Sequence, residues 1–355
     1  VLSLVGSEMC IRDRDITALP KAHLHLHLEG AIRPTTVRDL YRQQGGVFAD
    51  LTLDEVIARA QMTPADTSFS DFLRKFDFIM PCLGKADDLV RVTRETIAEA
   101  HRDGVCYLEI RFCPHFIDDH TPVPALASIE AVIEGARLDQ VEYPDVVTTL
   151  TLIIDQTRGD TAGEEAVRWA ARYADQGPGT SSVDIACAPD ICPLTDYEPA
   201  CTLARDLGIG ITVHAGETEG AQSVRIAVER LHATRIGHGI RAAEDPTVVD
   251  LLLERGVTLE VSVSSNVYTR SVPSLEEHPL PLLLAAGVPV TLNTDDPTIF
   301  DVTLSQEYHL LQQTFGLTLQ DFYRANLHAV DAGFVPSEHK AALRAIIEKG
   351  YPKDA

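Results

Sequence analysis

The 355-residue chain carries 30 Lys+Arg against 53 Asp+Glu, a formal charge of −23, with 45% hydrophobic and 23% charged residues. This is a globular mixture and excludes a disordered or collagen-like chain. The carboxylate surplus repels phosphate backbones and anionic lipid, which disfavours nucleic-acid and membrane-surface roles, and no apolar run approaches the ~18 residues of a membrane span.

The seven cysteines (Cys10, Cys82, Cys106, Cys113, Cys187, Cys192 and Cys201) are scattered, odd in number and form no C-x-x-C pair. That spacing opposes a secreted disulfide framework and a thiolate zinc knot, and points to a reducing cytoplasm. The opening VLSLVGSEMCIRDR (1–14) fits neither a signal peptide nor anything that follows. It resembles a translated sequencing adapter and is expected to be a non-native leader, with residues 15–350 forming one domain.

From Ile16 onward, short β-rich runs alternate with helical patterns. The runs are 22–28, 105–112, 146–154, 183–187, 211–215, 235–239, 258–263 and 290–294, with amphipathic stretches at 86–103, 123–142, 161–176, 220–232, 245–255 and 275–286. Strands alternating with helices imply βαβ units, and eight of them imply a (β/α)8 barrel. No G-x-G-x-x-G follows the first strand, so a dinucleotide fold loses its main support. One connection is abnormally long: residues 31–100 separate the first two strands and hold helical patterns at 34–44, 51–60 and 69–80. An insertion there forms either a lid over the active-site mouth or an extra helical layer on the flank. The tail from 304 to 350 reads as terminal helices.

The chemistry gathers at the strand ends. His25 and His27 lie two apart, so both project to one face, into the barrel. His23 shares that parity but lies deeper and reads as a satisfied core histidine. Among thirteen histidines an H-x-H pair is not specific by itself. The fifth strand, however, ends in His214-Ala215-Gly216-Glu217, the sixth in Gly237-His238-Gly239, and the eighth in Asn293-Thr294-Asp295-Asp296. Adjacent buried acids need partners or a metal, and an N-cap accounts for only one of them. Three imidazoles plus Asp295 make a mononuclear zinc site. No lysine in strands four or five offers a carbamate bridge for a second metal. His238 then orients a water or holds its proton, Glu217 is the general acid, and Asp296 accepts from or donates to substrate. Such a set suits water addition to an electron-poor ring carbon followed by loss of ammonia.

The segment LPKAHLHLHLEG (19–30), with HAGE (214–217), GHG (237–239), NTDDP (293–297), FLRKFDFIMP (72–81) and YLEIRFCPHF (107–116), resembles the adenosine deaminase family over nearly everything after Ile16. The resemblance implies zinc held by His25, His27, His214 and Asp295. It implies that Glu217 protonates purine N1 while water attacks C6, that His238 positions or deprotonates that water, and that Asp296 hydrogen-bonds N7. It further implies substrate contacts from His27, Glu29, Gly216 and Cys187, and an apolar cover of Phe69, Phe72, Leu73 and Phe76. The alternative for those four is the buried face of a helix.

Two departures bear on specificity. Glu29-Gly30 stands where well-studied members have Asp-Gly meeting the ribose 5′-hydroxyl, a form also seen in bacterial relatives acting on adenine or modified adenosines. Asp184-Ile185-Ala186-Cys187-Ala188-Pro189 aligns with the family's Asp-Leu-Ala-Gly-Asp-Glu turn, so Cys187 replaces the Gly whose N–H meets purine N3. The expected activity is zinc-dependent deamination of adenosine or 2′-deoxyadenosine in purine salvage. Adenine or aminodeoxyfutalosine deamination is the runner-up, and a non-catalytic nucleoside-binding barrel the alternative of another class.

Overall fold

The computed structural model describes residues 13–63, 65, 66, 68–187 and 191–352. Most of the expected leader and the residues Ala188 and Pro189 therefore lie outside the described residues. Eight parallel strands follow one another around a single sheet: β1 (Lys21–His27), β2 (Val105–Phe112), β3 (Val147–Asp155), β4 (Thr180–Ala186), β5 (Gly210–Ala215), β6 (Arg235–His238), β7 (Thr258–Val261) and β8 (Val290–Leu292). A bridge between Leu26 and Asp295 joins the last edge to the first, so the sheet curls into the expected (β/α)8 barrel. Its strands are buried along nearly their whole length, because helices cover one face and the barrel interior the other.

All eight expected strands are present, and the early end of the last one has a side-chain cause. β8 stops at Leu292 because Asn293 accepts from the N–H groups of both Leu24 and His25 through its side-chain oxygen, at 2.9 and 3.0 Å. The β1–β2 register shifts between His23 and Leu26. That irregularity corrects the expected parity of His23. It lines the same outer groove as Leu26, three residues on, which unbroken alternation forbids. Its Nε2 accepts the Thr294 N–H at 3.1 Å, so it is satisfied as expected, but it does not share the face of His25 and His27.

Between β1 and β2 stand helices Pro34–Gln44, Leu53–Ala60, Phe69–Ile79 and Ala86–Arg102. Thr52 closes a capping box with Glu55, and Ser68 caps the third helix by accepting the Asp71 N–H. The short helices Pro114–His120, Glu198–Asp206 and Val263–Tyr268 had no expectation from the sequence, and the tail holds three helices from Leu304 to Gly350.

The barrel interior is charged as well as apolar. Glu109, Arg111, Asp184, Arg235 and Glu260 are all fully buried. Arg235 pairs with Glu109 and Glu260, each at 2.6 Å, and Arg111 pairs with Asp184 at 2.7 Å and Glu260 at 2.6 Å. Each ion is answered by opposite charge, the condition under which burial is tolerable.

Glu307, from helix Leu304–Phe315, is also buried, and it is met by the neutral donors of Ser264, whose N–H it accepts at 3.1 Å. Burial pushes its carboxyl from the ordinary 4.5 up to about 7. Between those values the folded state binds more protons than the unfolded one, so this group's contribution falls as pH rises. Glu307→Gln keeps an acceptor without the charge. It is expected to gain on the wild type by an order of 2–3 kcal/mol between about pH 5 and about pH 8, read from denaturant midpoints. An equal difference at both pH values would show that burial of the charge is not costly.

Candidate active site

The C-terminal ends of the strands converge on one pocket, and every expected site residue except His25 lines it; His25 lies beneath, fully buried. His27 Nε2 is 3.3 Å from His25 Nε2, 3.4 Å from His214 Nε2 and 3.2 Å from Asp295 Oδ1, and His25 Nε2 is 3.0 Å from Asp295 Oδ1. Four donors placed tetrahedrally about 2.0–2.1 Å from a zinc ion sit about 3.3 Å apart. The tautomers agree with that fit. His25 Nδ1 faces Glu260 Oε2 at 2.9 Å and His214 Nδ1 faces Asp184 Oδ2 at 3.0 Å, so each ring donates outward to a carboxylate and turns a lone pair inward. Lone pairs that face one another at this distance repel unless a cation lies between them. Among the described residues, His238 also falls within 4.8 Å of the donors of His25, His214 and Asp295. It sits farther out, with Nε2 3.9 Å from Asp295 Oδ2 and 3.6 Å from Glu217 Oε2.

Local backbone geometry places these groups. His238 and Asp295 adopt left-handed φ of 61° and 66° at their strand ends, and Cys187 adopts 95°. Gly237 leaves room for two ligands, since a Cβ there would lie 3.0 Å from His25 Cε1 and 3.2 Å from His214 Nδ1. A Cβ on Gly30 would collide with the Asp296 carboxyl.

Electrostatics sort the acids. Burial, then the Asp295 charge, raises the Glu217 carboxyl. Burial and the charges of Asp295, Glu29 and Glu217 hold Asp296 well above the usual carboxylate range. Burial raises Glu29 to about 7. Burial lowers His238 to about 3, so it is neutral at physiological pH.

An apolar wall closes one side of the pocket. Phe69, Phe72, Leu73 and Phe76 line it from helix Phe69–Ile79, and Phe116 meets Phe76 edge-on with centroids 5.9 Å apart. Phe72 also stacks on Phe300 at 5.4 Å, so one helix face supplies both pocket wall and packing. Glu29 accepts the Cys113 N–H at 2.7 Å through Oε1, while Oε2 has no partner among the described residues.

Several functional neighbours escaped the sequence reading. Ser265 donates to Asp295 Oδ2 at 2.7 Å, and Thr269 donates to Glu217 Oε1 at 3.1 Å. Asp184, within the expected fourth strand, lies inside β4, fully buried against His214 and Arg111. Charged residues within apolar strands (Arg111 in β2, Asp184 in β4, Glu260 in β7) were the available signal, because such charges must be paired.

The family model described as adenosine deaminase matches residues 20–350. The adenosine deaminase of Erwinia tasmaniensis is 34% identical over 327 residues, 92% of this chain and 97% of that one. Among solved structures, an adenine deaminase from Arthrobacter aurescens superposes with a TM-score of 0.85 at 26% identity, covering 94% of this chain and 99% of the other. A zinc-bound amidohydrolase from Burkholderia ambifaria gives 0.86 at 25% identity, over 98% and 94%. The N6-methyl-AMP deaminase of Arabidopsis thaliana gives 0.82 at 29% identity, over 95% and 98%. With its motifs at the strand ends and a family match across almost its whole length, the chain belongs to the adenosine deaminase family.

Proposed function

We propose that the protein hydrolytically deaminates adenosine and 2′-deoxyadenosine, releasing inosine or 2′-deoxyinosine and ammonia. One observation carries the reading: three inward-facing imidazoles and Asp295 surround one point, with the half-buried Glu217 and the buried His238 3.6 Å apart beside it. His25, His27, His214 and Asp295 would hold zinc. When bound, zinc supplies the Lewis acidity that makes water a nucleophile near neutral pH.

The remaining work falls to the chain's own groups. Glu217, whose carboxyl is raised by burial and the Asp295 charge, delivers its proton to purine N1 as water adds at C6, and the carboxylate so formed takes a proton from the added water and passes it to the amine that leaves as ammonia. His238 lies between Glu217 and Asp295, where it meets the attacking oxygen. Asp296, protonated through burial and three neighbouring carboxyls, donates to N7. The four apolar side chains of helix Phe69–Ile79 cover the nucleoside and exclude water, the part of the long insertion that acts as a lid.

Charge selects among related substrates. Among the described residues the pocket lining contains Glu29, Glu217, Glu219, Asp295 and Asp296 but no Lys or Arg. A 5′-phosphate would find no counter-charge there, whereas a neutral nucleoside is not repelled. The unpartnered Oε2 of Glu29 suits a ribose hydroxyl, which favours nucleoside over free base. Adenine deamination is the second reading, because Cys187 narrows the wall at its left-handed position.

A panel of adenosine, 2′-deoxyadenosine, adenine, aminodeoxyfutalosine and AMP, followed by ammonia release, tests the proposal. Turnover of adenosine with none of AMP is expected; faster turnover of adenine would transfer the assignment to the second reading. Glu217→Gln is expected to lower kcat by about 10²–10⁴-fold with zinc content unchanged. Full activity in that variant would remove Glu217 from the chemistry. Asp184→Asn frees the His214 ring from its carboxylate and should weaken zinc binding by about 10–100-fold in chelator competition.

A further inference from the structure

A second line of polar groups runs behind His238, and it is closed at its far end by a donor whose direction is unambiguous. The backbone N–H of Leu280 donates to His278 Nδ1 at 3.1 Å. His278 is buried, and burial lowers its ring to about 4, so it is neutral with a single ring hydrogen. With Nδ1 accepting, that hydrogen is on Nε2, which lies 3.1 Å from Asn266 Oδ1 and donates to it. The amide of Asn266 is thereby oriented, and its Nδ2 donates to His238 Nδ1 at 3.0 Å. Asn266 is fully buried and His238 is 1% exposed, so no bulk water competes for these positions. Reversing the amide would leave two donors or two acceptors facing each other at its contact with His278, which costs about 1–3 kcal/mol for each unsatisfied buried group.

We infer that Asn266 and His278 are positioning residues that fix His238 as the Nε2–H tautomer. The catalytic meaning of the inference rests on the deaminase reading above; the tautomer itself does not. Nε2 is the atom that faces Glu217 and Asp295. Carrying a hydrogen, it has no lone pair with which to accept another, so His238 meets the attacking oxygen as a hydrogen-bond donor. Of the two roles open to His238 from the sequence, holding the water or taking its proton, the relay selects holding. The three residues come from separate parts of the chain: the end of β6, helix Val263–Tyr268, and the turn ahead of helix Leu280–Ala285.

The tautomer can be read without turnover. In protein labelled with ¹⁵N in its histidine rings, His238 and His278 are assigned from the spectra of His238→Gln and His278→Gln. Both are expected to show a protonated Nε2 and an unprotonated Nδ1 in the wild type. A protonated Nδ1 on His238 would overturn the inference, whatever the enzyme proves to deaminate. Variants supply the functional half. Asn266→Asp conserves shape but presents only acceptors, so it draws the hydrogen of His238 to Nδ1. It is expected to lower kcat by about 10²-fold or more while KM stays within about 3-fold and zinc content is unchanged. His278→Gln retains a donor toward Asn266 and should keep kcat within about 5-fold, whereas His278→Leu should fall with Asn266→Asp. A folded Asn266→Asp enzyme with wild-type kcat, or equal activity in the two His278 variants, would refute the positioning role. Should Asn266→Asp fail to fold, the wild-type spectrum still decides. A wild type with the expected spectrum and no activity on adenosine would count against the proposed function alone.

Discussion

The site depends on one buried guanidinium. Arg111 lies fully buried inside the barrel and joins Asp184 on one side to Glu260 on the other, while also donating to the Leu24 carbonyl at 2.8 Å. Each of those carboxylates orients one imidazole, Asp184 that of His214 and Glu260 that of His25. Two rings projected from strands β1 and β5 are therefore tied to one charge supplied by β2, with Arg235 of β6 adding a second hold on Glu260. Removing a member of such a network leaves an uncompensated ion in an apolar interior, at a cost of about 3–5 kcal/mol. The arrangement couples the stability of the barrel to the geometry of its mouth.

Above that layer the pocket works by crowding acids. Glu29, Glu217, Asp295 and Asp296 cannot all ionise in one desolvated space. Asp295, facing the imidazoles, takes the charge, while burial with repulsion raises the Glu217 carboxyl and holds Asp296 well above the usual carboxylate range. His238 follows the same logic by a different route, because burial keeps it neutral and its neighbours decide which nitrogen holds the hydrogen.

Much of this was legible in the chain. The eight runs, the long first connection and the polar strand ends were all visible, because parallel strands buried on both faces must be apolar and any polar group ending them has a reason to be there. His25, His27, His214, Asp295, Glu217, His238 and Asp296 were found on that ground. What escaped was local geometry and side-chain partnership. The alternation argument misplaced His23, because the register shifts just after it, in a stretch whose Leu24 and His25 N–H groups turn to the Asn293 side chain about 270 residues away in sequence.

By itself the sequence determined which residue types stand at the strand ends and in what order, and hence the barrel and the chemistry available at its mouth. Periodicity is a local property, and it survives without knowledge of neighbours. Tertiary structure alone decided the electrostatics and orientations: that Arg111 bridges two carboxylates, that crowding and burial raise the Glu217 and Asp296 carboxyls, and that Asn266 and His278 reach His238. These follow from burial and from contacts between segments far apart in sequence, and the energy of a buried charge or hydrogen bond depends on what faces it in space.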